Sequence, residues 1–346
     1  MYPIPGRERV LRLATRGSPL ALWQADRVSA LLAEVSGAPA CEVVVVRTTG
    51  DEISDVPLHQ IGGQGVFVKE VQRALLEGRA DIAVHSAKDL PALTPQGLIL
   101  ACVPDRKDPR DAVVGCGIAD LPAGASVATG SVRRRAQLAW LRPDLSFVDL
   151  RGNMAARVSG AKQVGAGIVA LAALQRLGFE GEVAEVLETH LMLPQVGQGA
   201  LALECRQEDQ EVLDLLGEID DAAAHKAVLA ERAFLRALGG GCTLPLGALG
   251  TVDMGVGVVG VGYGAGTGGT GTQAGTGTAT DTGGTVTLQG MLASRDGHVL
   301  LRRHATGSDP EELGRRLALE LLDDCGGRSL DDWADWTGWA DCDVHL

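Results

Sequence analysis

Arginines stand at three turns where a predicted strand leads into a predicted helix. The three segments share a short polar or glycine-containing turn, and they are LATRGSPLALW (13–23), VATGSVRRRAQLAW (127–140) and DLRGNMAARV (149–158). The partial positive charge of a helix N-terminus disfavours a cation there by a few tenths to about 1 kcal/mol. Free N–H groups and guanidinium groups nevertheless make good anion sites. The repetition therefore indicates a cleft for a ligand with several carboxylates or phosphates, although any single arginine could instead be a solvated surface side chain.

One carboxylate follows a predicted strand and accompanies these cations, in VHSAKDLP (84–91). Lys88 would add a further anion contact, whereas Asp89 could act as a general acid or base or stabilise a cationic intermediate. Two alternatives stay open. Asp89 could cap the turn before Pro91, and His85 could be the base, although a histidine near the end of a strand is more often packed.

A single thiol is placed for chemistry in LGGGCTLPLG (238–247). Three glycines precede Cys242 and remove side-chain bulk beside it, which allows close approach by another group. A free thiol has an ordinary pKa of about 8.5, and a cationic cleft favours its nucleophilic thiolate form. The seven cysteines of the chain are widely spaced and contain no Cys-x-x-Cys pair, which disfavours a disulfide framework and a zinc site.

The strands and helices that position these residues are predicted to form α/β architecture through about residue 220. The predicted strands are short aliphatic and β-branched runs suited to a sheet covered on both faces, and they lie at 41–47, 80–86, 97–102, 126–130, 146–152, 166–172 and 199–205. Ser18 as N-cap with Pro19 after it predicts the start of one helix. Further helices are expected over 66–78 and 220–241, each ending at glycine.

The C-terminal third has a different character. A flexible low-complexity insertion is expected at about 250–284, because Gly and Thr dominate it and charges are almost absent. TVTLQGMLAS and HVLLRRHATG then predict a hairpin, and DPEELGRRLALELLDDCGG predicts a capped amphipathic helix. Trp333, Trp336 and Trp339 repeat every three residues in the tail, which favours a helical face docked on the body over a ligand-stacking site.

Composition limits the class of protein. A length of 346 residues suggests two or three domains. The net charge of −13 argues against non-specific nucleic-acid binding. No apolar run reaches the ~18 residues of a membrane span, and the N-terminal stretch has no signal-peptide pattern. We therefore expect a cytoplasmic protein that binds neither nucleic acid nor membrane.

Taken together, these motifs resemble the hydroxymethylbilane synthase family, also called porphobilinogen deaminases. The matching pieces run in family order over most of the first 250 residues, and they are ATRGSPLALWQA, GGQGVFVKE, ADIAVHSAKDLP, DPRDA, LRGNMAAR, LPQVGQGALALECR and GGGCTLPLGA. The resemblance implies a transferase of porphyrin and heme biosynthesis. Such an enzyme joins four porphobilinogens head to tail with loss of ammonia, then releases hydroxymethylbilane by hydrolysis. It also implies a dipyrromethane cofactor held by a thioether, for which Cys242 is the matching position.

The resemblance implies a fold class and a set of site residues. Two α/β domains like those of periplasmic binding proteins would span 8–104 with 202–220, and 107–196, and a smaller α+β domain would span 224–346. Asp89 would assist ammonia loss. The expected cofactor ligands besides Cys242 are Lys88, Thr129, Ser131, Arg133 and Arg134. The expected ligands of substrate carboxylates are Arg16, Ser18, Arg151, Arg157 and Arg176.

Some points depart from the family or stay open. Gln64 stands where many relatives have lysine, so a charge near the active-site loop is missing. No metal is expected, and a monomer is expected. One rival function is an anion-binding module of two domains without catalysis. A second rival is a nucleic-acid binder that uses SVRRRAQLAW as a recognition helix.

Overall fold

The computed structural model describes residues 9–48, 68–239, 244–254 and 284–330. The strands in this part of the chain are β1 (Val10–Arg16), β2 (Ala40–Val46), β3 (Ile82–Ser86), β4 (Leu98–Cys102), β5 (Asp111–Gly115), β6 (Ser126–Ala128), β7 (Ser146–Val148), β8 (Ala166–Ala170), β9 (Val183–Leu187), β10 (Leu201–Arg206), β11 (Leu246–Asp253), β12 (Thr285–Ala293) and β13 (Leu300–Gly307). The α-helices are α1 (Pro19–Ala33), α2 (Lys69–Leu76), α3 (Val132–Leu141), α4 (Met154–Val164), α5 (Leu171–Arg176), α6 (Gln210–Gly217), α7 (Ala222–Ala237) and α8 (Pro310–Leu319). They form three sheets with their covering helices.

The first sheet has the strand order β2-β1-β3-β10-β4. β1 runs parallel to β2 and β3, whereas β10 is antiparallel to both of its neighbours. One face of the sheet contributes Leu11, Leu13 and Ile82 to a cluster that also holds Val28 of α1 and Val212 of α6. The apolar runs of these strands are buried because helices cover the sheet.

The second sheet repeats this plan with the order β7-β6-β8-β5-β9. β6 is parallel to β7 and β8, and β5 is antiparallel to β8 and β9. Because parallel strands of one sheet end at the same edge, the turns after β1 and β3, and those after β6 and β7, lie at the carboxyl edges of their sheets. The arginine-bearing turns follow β1, β6 and β7.

The third sheet is the antiparallel meander β11-β12-β13, and α7 and α8 pack against it. Its core contains fully buried Phe234 with Leu288, Leu292 and Leu317. Gly314 of α8 lies so close to α7 that a Cβ there would stand 2.3 Å from the carbonyl oxygen of Ala230. This approach lets the two helices bury their apolar faces on one side of the sheet.

Two crossing segments, residues 103–110 and 188–200, connect the first and second sheets, and Arg106 and Ala200 form an antiparallel bridge between them. Glu231 of α7 is fully buried at this junction. Its carboxylate accepts hydrogen bonds from Arg106 Nη1 at 2.6 Å, the Gly197 amide at 2.6 Å and the Gly250 amide at 2.8 Å. One side chain thus joins both crossing segments to the third sheet.

The predicted fold class, two α/β domains followed by a smaller α+β domain, is confirmed. The hairpin after the insertion and the helices that begin after Ser18 and Asp309 are confirmed as well. The predicted strands over 126–130 and 146–152 are too long, because β6 and β7 each have three residues. The division at 8–104 with 202–220, 107–196 and 224–346 stays a prediction. The Trp-containing tail and most of the proposed insertion lie outside the described residues.

Candidate functional site

Three helices begin at the arginine-bearing turns, and each has a side-chain N-cap. Ser18 Oγ accepts from the Ala21 amide at 3.3 Å, Ser131 Oγ from the Arg134 amide at 3.4 Å, and Asn153 Oδ1 from the Ala156 amide at 3.0 Å. These bonds satisfy one backbone donor in each first turn. The predicted strand-turn-helix pattern is therefore present at all three places.

Cations from both α/β domains converge near Asp89. Burial lowers the pKa of Arg157, and the neighbouring charges of Arg134, Arg151 and Arg16 lower it further, while Asp89 opposes them. The residues that act on Arg157 come from β1, the turn after β3, α3 and the turn after β7. The structure thus brings together side chains that lie up to 141 positions apart in the sequence (16 to 157).

Lys88 belongs to the same cluster of charges. Burial lowers the pKa of Lys88 to about 8, with Asp89 opposing and Arg134 reinforcing the effect. A protonated Lys88 therefore lacks full compensation by the protein's own carboxylates. An anionic ligand would supply the missing negative charge.

Asp89 ends a short 3-10 turn, Ala87–Asp89, directly after β3. It lines a recess, called here the Asp89 recess, together with Arg16, Ser18, Gln24 and His85. Among the described residues its carboxylate has no hydrogen-bonded or ion-paired partner in the protein, although the charges of Lys88 and Arg157 act on it. The alternative interpretation, in which Asp89 caps the turn before Pro91, finds no such hydrogen bond in the described part of the chain.

His85 is buried at the side of the Asp89 recess. Its Nε2 lies 3.2 Å from Oε2 of fully buried Glu204 on β10. Gln72 Nε2 donates to both oxygens of that carboxylate, at 3.1 and 2.9 Å. Although Nε2 is buried beside this carboxylate, it forms no hydrogen bond with it. The structure therefore favours a packed His85 over a free base.

Arg133 and Arg134, which the resemblance implies as cofactor ligands, are both buried and paired with Asp111. Arg133 Nη2 lies 2.8 Å from Asp111 Oδ2, and Arg134 Nη2 lies 2.7 Å from Oδ1. Gln198 Nε2 donates to the same Oδ1 at 2.8 Å. Burial alone would raise the pKa of Asp111, but the two guanidinium groups outweigh it and lower the pKa to about 2. Two cations and one carboxylate leave a net positive charge in this Asp111 cluster.

Thr129 is also buried, and its Oγ1 accepts from the Ser131 amide at 3.3 Å. Arg176 ends α5 and stacks over the indole of Trp23 on α1, with Cζ 5.5 Å from the ring centroid. It lines a second recess, called here the junction recess, beside Lys88 and Ser86. Arg176 therefore lies at the contact between the two α/β domains, and its expected role as a ligand of substrate carboxylates stays a prediction.

Two family models match the chain: the dipyrromethane cofactor binding domain of porphobilinogen deaminase over residues 11–214, and its C-terminal domain over 225–258. The chain belongs to the porphobilinogen deaminase family. Curated porphobilinogen deaminases of Syntrophobacter fumaroxidans and Geotalea daltonii are each 42% identical to it, over 94% and 92% of this chain and 98% and 93% of their own lengths. A solved periplasmic binding protein of Salmonella typhimurium covers 63% of this chain and 94% of its own at 14% identity, with a TM-score of 0.35.

Membership of this family confirms the predicted transferase of tetrapyrrole biosynthesis and its dipyrromethane cofactor. The roles assigned to individual residues stay predictions. Within the described ranges, no helix combines the length and apolarity needed to cross a membrane.

Cys242 and Gln64 lie outside the described residues. The residues that flank the cysteine segment, Leu238 and Leu244, pack in one cluster with Ala92 and Val196. Ala92 follows Asp89 by three positions, and Val196 belongs to the crossing segment 188–200. The residues on both sides of the segment that carries Cys242 therefore belong to the same hydrophobic core as Ala92.

Sequence reasoning did not identify Asp111, Gln198 or Trp23 as parts of the site. All three occur in the motifs DPRDA, LPQVGQGA and ATRGSPLALWQA. The available signal was an acidic residue opening an otherwise apolar run at 111–115, a pattern that suggests a buried charge with a partner.

Proposed function

We propose that this chain joins four porphobilinogen molecules on a covalently held dipyrromethane, releases four ammonia molecules, and frees hydroxymethylbilane by hydrolysis. The observation that carries the proposal is the Asp89 carboxylate, which has no protein partner among the described residues and stands within a cluster of cations. A cation cluster suits a ligand rich in carboxylates. A lone carboxylate inside it suits a reaction that passes through a cation.

The residues present fit a dipyrromethane. Each pyrrole unit bears an acetate and a propionate, so the group carries four carboxylates and needs several cationic donors. Arg133 Nε is buried and lacks a hydrogen-bond partner, and Lys88 and Arg157 lack full charge compensation. When bound, dipyrromethane supplies a nucleophilic pyrrole carbon. The residues that would hold it are Cys242, by a thioether, with Lys88, Thr129, Ser131, Arg133 and Arg134.

A second set of donors would bind the carboxylates of the substrate. Arg16 and Ser18 stand at the start of α1 beside the Asp89 recess, and Arg151 and Arg157 stand at the start of α4. Mutual repulsion among these guanidinium groups is relieved when carboxylates enter, so binding is coupled to charge neutralisation. Arg176 would contribute from the junction recess.

Asp89 acts on the substrate itself. The aminomethyl group of porphobilinogen leaves from its protonated ammonium form: the C–N bond breaks, both electrons leave with nitrogen as neutral ammonia, and the ring is left as a cation. The Asp89 carboxylate stabilises that cation and then the pyrrole nitrogen during carbon–carbon bond formation. Surrounding cations hold the carboxylates at the ring edge, which keeps the reacting carbon in place.

The Asp89→Asn variant tests this role. It keeps the size of the side chain but removes the negative charge, so ammonia release should fall at least about a hundredfold while the melting temperature stays near that of the wild type. Asp296→Asn, on an exposed hairpin turn, is the matched control and should retain full activity. An Asp89→Asn variant within tenfold of the wild type would exclude Asp89 as the catalytic carboxylate.

Intact mass tests the covalent attachment independently. Native protein should weigh two pyrrole units more than its sequence, and the added mass should lie on the peptide that contains Cys242. Cys242→Ala should lack the added mass and the activity, whereas Cys325→Ala should keep both. Full activity of Cys242→Ala would refute the attachment.

The remaining parts of the proposal are a monomer in the cytoplasm that does not bind nucleic acid. Light scattering tests the oligomeric state, fractionation tests the location, and salt-dependent DNA binding tests the rival nucleic-acid function. A protein that binds porphobilinogen without releasing ammonia would instead be an anion-binding module.

A further inference from the structure

Trp23 and Trp140 occupy matching places in two similar strand-turn-helix segments, which end in LALW and LAW. The tertiary structure gives them different surroundings. Trp140, near the end of α3, is 50% exposed. Trp23, on α1, is partly buried, and the guanidinium group of Arg176 lies over its ring, with Cζ 5.5 Å from the ring centroid.

Arg176 depends on this contact because its other partners are few. It is only 7% exposed, and its Nη2 donates to the Gly199 carbonyl at 2.8 Å, while its Nε is buried without a hydrogen-bond partner. Burial lowers the pKa of Arg176, and the charge of Asp105 opposes this only in part. No carboxylate of the described ranges forms an ion pair with it. The electron-rich face of Trp23 therefore supplies a large part of its stabilisation.

The contact also crosses a domain boundary. Trp23 belongs to the helix that follows Arg16, and Arg176 ends the helix that follows β8; α1 and α5 are in contact. Arg176 and Lys88 both line the junction recess, with Ser86 and Gly199. Two cations from different domains thus share one recess, and one of them is held by an aromatic ring of the opposite domain.

We propose that Trp23 is a positioning residue that holds Arg176 at the domain junction, so that its positive charge is available beside Lys88 to a substrate carboxylate. This inference rests on the proposed function. Trp23 touches no reacting atom; it acts through Arg176. The indole face is suited to this role because it stabilises the cation without neutralising it, whereas a carboxylate partner would compete with the ligand.

A double-mutant cycle on the full-length enzyme tests the inference. Trp23→Leu should raise KM for porphobilinogen about three- to tenfold with kcat little changed, because ground-state and transition-state binding are lost equally. Trp23→Phe, which keeps an aromatic face, should restore most of the loss. In an Arg176→Met background, Trp23→Leu should change KM no further. Trp140→Leu is the matched control and should leave KM unchanged.

A second readout does not depend on activity. The melting temperatures of the same variants should be non-additive for Trp23→Leu with Arg176→Met and additive for Trp140→Leu with Arg176→Met. An unchanged KM in Trp23→Leu, or an equal rise in KM with and without Arg176, would overturn the inference. A wild-type protein that releases no ammonia would instead refute the proposed function, and the melting-temperature cycle would still decide whether the contact exists.

Discussion

Replacing Asp111 by asparagine should be among the most damaging single changes outside the reacting groups. Asp111 is fully buried, and its two oxygens are held by Arg133, Arg134 and Gln198. The amide keeps the shape but leaves two buried guanidinium groups without their counter-charge. Breaking a buried ion pair by removing one partner costs about 3–5 kcal/mol.

The lowered pKa of Asp111 expresses the same contacts as a dependence of stability on pH. Because the folded protein lowers this pKa from its ordinary 3.8 to about 2, the carboxylate stabilises the folded state by about 2 kcal/mol relative to its protonated form. This stabilisation is present above about pH 4 and is lost as the pH falls through 2. The asparagine variant lacks it at every pH. The cost of about 3–5 kcal/mol given above for the substitution is larger because it includes the two guanidinium groups left without a counter-charge.

Urea unfolding followed by circular dichroism measures the effect. Asp111→Asn should be compared with Asp149→Asn, whose partner Arg135 forms an exposed pair in the same domain and which should cost about 0–1 kcal/mol. Both changes should be made in a Cys242→Ala background, so that cofactor loading does not differ between them. If Asp111→Asn lies within about 1 kcal/mol of Asp149→Asn, the Asp111 cluster does not stabilise the fold as argued.

Three further predictions concern other parts of the chain. The value of kcat/KM should fall above about pH 8 as Lys88 loses its charge. In Lys88→Arg this fall should begin at least two pH units higher. A fall at the same pH in both proteins would assign it to another group. In urea unfolding, Glu231→Gln should lower the free energy of unfolding by about 3 kcal/mol, because it breaks the buried pair with Arg106. Glu311→Gln, in the exposed pair with Arg236, should lower it by less than about 1 kcal/mol. Equal losses would refute the role of the buried carboxylate. Deleting 255–283 should leave ammonia release within about twofold, because the adjoining ends of β11 and β12 are paired and need only a short turn; a large loss would show that the segment is needed.

Local patterns were sufficient for much of the fold. Ser18 and Ser131 mark helix starts because an N-cap acts within three residues, and the runs at 82–86 and 166–170 are strands because aliphatic residues there are buried on both faces. β9 (183–187) was not predicted, because Glu185 interrupts its short apolar run and such a run has no clear period. Its pairing with β5, a non-local contact, decides that it is a strand.

The candidate site divides in the same way. Local sequence was enough to place Lys88 and Asp89 after a strand, and the arginines of α3 and α4 near helix starts, because those positions depend on neighbours in the chain. It could not determine that Asp111 pairs with both Arg133 and Arg134, since these ion pairs join residues 22 and 23 positions apart in the chain. Nor could it separate Trp23 from Trp140, whose local sequences are alike. Only the tertiary structure placed Arg176 against one of these rings, because an ion pair or a stacked ring depends on which distant elements meet in space.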